Sequence, residues 1–176
     1  PDRRAGLLVG QGGRSNDEKQ YTFPHRTFQE FLAACHLAKQ DDFAERCVTL
    51  ARQAPEHWQE VLPLAARRAG VHRGPAAANA LVHGVEQANW PSPLTLADGH
   101  AALLAARQLQ EIGLTALRAS ESNRAIIHRV AGWLAAVLPL HPSDHGLPAR
   151  QRAQAGDLLA RLGDPRFDAG RFHLPA

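Results

Sequence analysis

The chain has 176 residues, 44% of them hydrophobic and 21% charged, a balance ordinary for a soluble globular protein and a length that can bury a real core. Its net charge of +3 is too weak to argue for nucleic acid, because no basic run with interleaved aromatic residues accompanies it. The longest strongly apolar run, residues 130–140, falls well short of the roughly 20 residues of a membrane span. Cys35 and Cys47 are too few for a disulfide framework, so a reducing cytoplasm is the implied compartment.

All cations except Lys19 and Lys39 are arginines, a compositional hint of a GC-rich bacterial genome. The pairs Arg3-Arg4 and Arg67-Arg68 are isolated and read as solvated surface. There is no methionine, and Pro1-Asp2-Arg3-Arg4 has none of the regions of a signal peptide, so the sequence reads as an internal fragment of a larger protein.

Along the chain, the run 6–10 and the alternating Tyr21-Thr22-Phe23 flank a Gly-rich loop and predict a short β-hairpin. Thr27-Phe28-Gln29-Glu30 fits a capping box, in which the Thr27 hydroxyl accepts from the amide of Glu30 and the Glu30 carboxylate reaches back. Phe28, Phe31, Leu32 and Cys35 then form one apolar stripe of a helix running to about Lys39. A short helix over 43–53 follows. Pro55 suits the first turn of another, carrying Trp58, Val61, Leu62 and Ala65 at helical spacing.

Gly74-Pro75 predicts a break, with a further helix over 76–87, and Asn89-Trp90-Pro91-Ser92-Pro93 is a connector. Helices are expected over 96–112, ending at Gly113, over 122–138, and over 149–162, with a loop at 141–148 and an extended tail from Arg166. The fold class is therefore mainly α: a small hairpin followed by roughly seven helices in an array or bundle. The stretches 105–113 and 153–163 share an A-x-x-L-x-x-[IL]-G flavour of the kind HEAT-like units use.

The most informative stretch is Phe23-Pro24-His25-Arg26-Thr27-Phe28-Gln29-Glu30-Phe31-Leu32-Ala33-Ala34. It resembles the F-x-H-x-x-F-Q-E-F-x-A-A signature that closes the winged-helix module of NACHT-type STAND NTPases. Phe23, His25, Phe28, Gln29, Glu30, Phe31, Ala33 and Ala34 are in register with it. The hairpin before it and Trp58-Gln59-Glu60-Val61-Leu62 after it are also common in that family. The resemblance implies a regulatory segment of a nucleotide-switched signalling or defence ATPase, itself non-catalytic.

In that family His25 would reach the β-phosphate of ADP held by an upstream NTPase core, locking a closed state that ATP releases. ADP or ATP with Mg would belong to the parent protein and not to this segment. The local chemistry permits the contact: a helix N-terminus favours an anion, and a ring N–H can donate to phosphate. The alternative for His25 is a bond to a turn carbonyl. Phe23, Phe28 and Phe31 are expected in the core, Glu30 as a cap, and Gln29 as a surface or interdomain hydrogen-bonder. No G-x-x-x-x-G-K-[ST] loop is present, and Gln11-Gly12-Gly13-Arg14-Ser15 lacks both its spacing and its lysine.

At the other end, Arg150 to Arg166 resembles the R-x-x-A-G-x-x-L-x-x-L-G-D-P-R linker that precedes formylglycine-generating, sulfatase-modifying domains in bacteria, and its Gly163-Asp164-Pro165 is also a plain helix stop. The expected organisation is residues 1–40 as the end of a winged-helix module, 41–163 as the helical array, and 164–176 as a linker. The partners would be the upstream NTPase core and a downstream sensor or effector domain, with self-association on activation.

Ten histidines invite a metal reading, but none pairs at i, i+4 with a carboxylate and there is no C-x-x-C. Both cysteines are expected buried and inert. The rival functions are a helical protein-interaction scaffold without nucleotide dependence, and a small hydrolase using Cys35 or a serine.

Overall fold

The computed structural model describes residues 9–11, 20–23, 25–82 and 93–167, the strand residues by their backbone. It is mainly helical. Strands β1 (Val9–Gln11) and β2 (Gln20–Thr22) pair antiparallel with Gly10 opposite Tyr21. The Gly-rich loop expected between them lies outside the described residues, as do the connector at 89–92 and the tail beyond Phe167.

Eight α-helices follow among the described residues: α1 (Arg26–Leu37), α2 (Phe43–Gln53), α3 (Pro55–Trp58), α4 (Val61–Leu81), α5 (Leu96–Ile112), α6 (Leu114–Leu117), α7 (Glu121–Val137) and α8 (Ala149–Leu162). The bounds of α2, α5 and α8 are those the sequence predicts, because each is delimited by strong local chemistry. Pro55 opens α3 at its first position. Gly113 and Gly163 close α5 and α8 in the same way, with φ of 108° and 105° and amides donating to the Leu109 and Leu159 carbonyls at 3.2 and 3.0 Å. The shared A-x-x-L-x-x-[IL]-G flavour of these segments thus includes a common helix stop.

At the centre lies α5, packed against α2, α4, α7 and α8. It is buried nearly all round: Gly99, Ala102, Leu103, Leu104, Ala105, Ala106, Gln108 and Leu109 are all shielded from solvent. Its start is a capping box that the sequence reading passed over. The Thr95 hydroxyl accepts from the Asp98 amide at 3.3 Å, and the Thr95 amide donates to Asp98 Oδ2 at 2.8 Å. Facing it, α4 presents Ala65, Ala66, Ala77 and Ala78, all fully buried, so the two backbones approach closely.

Three expectations are corrected. First, Trp58 and Val61 do not share one helix; Gln59 and Glu60 separate α3 from α4. Second, Gly74-Pro75 does not break the chain, which bends sharply inside α4 at Gly70 instead. Gly70 has φ 76° and ψ −174°, a region essentially closed to residues with a Cβ. Pro75 is tolerated because the carbonyl it cannot serve, that of Val71, accepts from the Asn123 side chain of α7 at 3.4 Å. Third, the expected extended tail from Arg166 opens instead with a turn over Pro165–Phe167, the rest of it lying outside the described residues, and Arg166 grips the Asp164 carboxylate at 2.7–3.1 Å. That bond draws the Asp164 carboxyl below its usual range.

The core runs through α1, α2, α4, α5, α7 and α8 as one cluster. No helix among the described residues is long and apolar enough to cross a membrane. Gln108 is fully buried in this cluster, and its amide has no hydrogen-bond partner among the described residues.

Candidate functional site

The residues singled out by the sequence sit on α1 and on the segment facing it. α1 is a two-faced helix. Ala34 and Leu37 point into the core, while Phe28, Phe31 and Leu32 are 43%, 52% and 45% exposed. This reverses the expected burial of Phe28 and Phe31; Phe23 is half-buried. The i, i+3, i+4 pattern is present as predicted, but the small residues one step round the helix, Ala34 and Ala33, take the core side. They allow α1 to lie close against α4, and the large side chains are left on the outer face.

The start of α1 also differs from expectation. His25 is the N-cap, with φ −129° and ψ 130°, and its side chain makes no cap hydrogen bond. Thr27 already lies inside the helix, so its hydroxyl is misplaced for capping. Glu30, four residues after Arg26, accepts from Arg26 Nε at 2.7 Å instead of reaching back to the backbone. The His25 side chain is exposed, and its ring lies 6.1 Å from that of Phe28, tilted by 42°. The first-turn amides of α1 thus find no acceptor on the N-cap side chain and lie beside an exposed imidazole, a combination that suits an anion.

The other end of α1 is clamped. Arg73, on the far arm of α4, donates to the carbonyls of Ala38, at 3.0 Å, and Gln40, where a cation also complements the helix dipole. Sequence reading gave no signal for Arg73, because its partners are backbone atoms more than 30 residues away.

Two shallow grooves flank the exposed face of α1. One is lined by Arg26, Gln29, Glu30, Ala33, His57, Trp58 and Val61, so the two sequence segments that carry the family resemblance meet across it. Within it the His57 and Trp58 rings meet edge-on at 5.3 Å. The rest of the second segment is structural: Glu60 pairs with Arg107 at 2.9 Å, and Val61 and Leu62 are buried. The other groove is lined by Phe31, Ala34, Cys35, Leu64, Arg67 and Arg68.

The two thiols have different environments, although both were expected to be buried. Cys47 is fully buried, and desolvation pushes its thiol up to about 12, whereas Cys35 is half-buried at the wall of the second groove. A thiol-selective disulfide reagent at pH 8 should therefore modify one thiol quickly in the folded chain, and the second only on unfolding. Cys35→Ser should abolish the fast phase. A fast phase that survives in Cys35→Ser would contradict this assignment. The same shift has a stability consequence. The native state holds the Cys47 proton more tightly than the unfolded state, so this contribution is complete below pH 9 and is lost as pH rises toward 12.

At the C-terminal end, Arg118 donates to the carbonyls of Arg161 and Leu162 at 2.8 and 3.3 Å, completing the stop of α8 that Gly163 begins. Ser120 and Ser122 share a hydroxyl bond of 2.9 Å at the start of α7. Among the described residues no three His, Cys, Asp or Glu side chains gather as a metal would require. Comparison with protein-family models, with curated proteins and with solved structures returned no match.

Proposed function

We propose that this chain is the closing part of a winged-helix module and the helical arm of a NACHT-type nucleotide switch, a non-catalytic transducer between an NTPase core and a sensor or effector domain. The observation that carries the reading is the start of α1: an exposed His25 stands at the N-cap and does not cap the helix with its own side chain. A side-chain cap contributes about 1 kcal/mol. α1 lacks one from its N-cap residue, as do α2, α4, α7 and α8, so what sets its start apart is the exposed imidazole at the cap position. First-turn amides beside a ring N–H fit a phosphate supplied by another domain.

Two further features support it. The apolar face of α1 is left uncovered by the described chain and is open to a surface outside it. Meanwhile Arg73 and the buried Ala34 and Leu37 fix α1 to the array, so that a displacement of α1 is passed on as rigid-body movement.

The experiment is nucleotide retention. With its natural upstream sequence attached, the protein should carry a phosphate-binding loop there and co-purify with ADP, and His25→Ala should release that ADP faster. A helical interaction scaffold, the alternative, would show neither nucleotide nor any effect of His25. The downstream half of the proposal, a sensor or effector domain following the Gly163-Asp164-Pro165-Arg166 stop, is read from the sequence on that side.

A further inference from the structure

Of the two grooves beside α1, the one toward α4 has a composition that specifies its occupant. It is open, about 410 Å³, with Ala34 at its floor, Phe31 and Leu64 as apolar walls, and Arg67 and Arg68 on its rim. Phe28 and Leu32 continue the apolar surface along α1. No acidic residue lines it. Arg67 is 68% exposed and reaches only Glu111, at 3.6 Å, with that carboxylate itself 38% exposed; a contact so long and so solvated neutralises little. Arg68 is exposed and makes no ion pair among the described residues.

We propose that this α1/α4 groove is the docking site for an amphipathic helix of a protein partner, one that carries Asp or Glu beside its apolar stripe. Two helices form the walls, and a third helix packing its ridge between them is the natural complement to Phe28, Phe31 and Leu32 at i, i+3, i+4. Carboxylates beside the stripe would meet the two guanidinium groups, which form bidentate bonds to such groups.

A second copy of the chain is a poorer occupant. An isologous pairing of two α1 stripes would set the Arg67 and Arg68 rim of each copy beside the same rim of the other, like charge against like. Outside α1, the exposed large hydrophobic residues of the described chain, Leu96 and Phe167, are isolated and form no helical stripe. The proposal does not depend on nucleotide binding, since the groove and the residues lining it belong to this chain alone.

The test uses two synthetic helical peptides of about 18 residues, long enough to populate helix in water. They share one leucine stripe, flanked by Glu in the first and by Lys in the second, and are titrated with the intact chain by fluorescence anisotropy. The Glu peptide should bind about ten-fold more tightly than the Lys peptide, and less so as salt rises. Arg67→Glu with Arg68→Glu should reverse that order. Phe31→Ala should weaken both peptides about ten-fold without unfolding the chain, because the ring is half in solvent.

Equal affinity for the two peptides, or binding of neither, would overturn the proposal. So would Glu-peptide binding that is indifferent to both variants. Capture by anionic phosphatidylserine vesicles in place of either peptide would assign the face to a lipid surface, and self-association abolished by Phe31→Ala would assign it to a second copy; either result also rejects the helix.

Discussion

Leu109→Ala should lower the unfolding free energy by about 3–5 kcal/mol, toward the upper end of what a leucine truncation costs. Leu109 is fully buried on α5, the helix that touches α2, α4, α7 and α8, so its side chain sits where no single neighbour can close a void. Its surroundings are also unable to collapse. Ala105 and Ala106 on its own helix, and Ala65, Ala66, Ala77 and Ala78 on α4, have already brought the two backbones together with little side chain left to move. A cavity left there stays open, and an open cavity adds its own cost to the lost transfer energy. Urea unfolding followed by circular dichroism measures the difference. A loss below about 1 kcal/mol with an unchanged slope would mean that α5 is not the centre of the core.

Gly74→Ala should cost about 2–3 kcal/mol, although alanine is ordinarily the better helix former and at an exposed site would stabilise by nearly 1 kcal/mol. A Cβ at position 74 would lie 2.6 Å from the carbonyl oxygen of Ala66 and 2.6 Å from Ile112 Cδ1. The isoleucine end can rotate away; the Ala66 carbonyl cannot, because it belongs to the first arm of α4, folded back on the second at Gly70. The two contributions separate in a double-mutant cycle. Ile112→Val removes Cδ1, so Gly74→Ala in that background should recover part of the loss and no more. Full recovery would place the whole conflict on the side chain and remove the backbone from the account.

What the sequence made legible follows from the range of the interactions concerned. Pro55, Gly113 and Gly163 act within a turn of their own helices, and the bounds of α2, α5 and α8 were readable from such local signals. The bend at Gly70 was not, because a lone glycine inside a helical pattern is ambiguous. The neighbouring Gly74-Pro75 looked the stronger breaker until Asn123, from another helix, took up the orphaned Val71 carbonyl. Burial on α1 is not legible in the sequence for a related reason. Periodicity locates an apolar stripe but does not say whether it faces this chain's core or another surface, and here Ala34 and Leu37 won the core.

The candidate site divides in the same way. His25 and the segment around it were legible as a motif, and the pairing of α1 with Trp58 across a groove was implied by nothing local. The capping box at Thr27 failed because the helix begins two residues earlier, with His25 as its N-cap, and Glu30 found Arg26. Gln108 could not have been picked out: in Arg107-Gln108-Leu109-Gln110-Glu111 it looks like its solvated neighbours, yet the close packing around α5 buries it.

The central claim is that α1 presents His25 to a nucleotide phosphate, and ADP dissociation from the protein with its upstream sequence attached tests it most directly. A charge-assisted hydrogen bond of about 1.5–3 kcal/mol corresponds to ADP release about ten- to a hundred-fold faster in His25→Ala, with unfolding unchanged because the side chain is exposed. Release at the wild-type rate from the folded variant would contradict the claim.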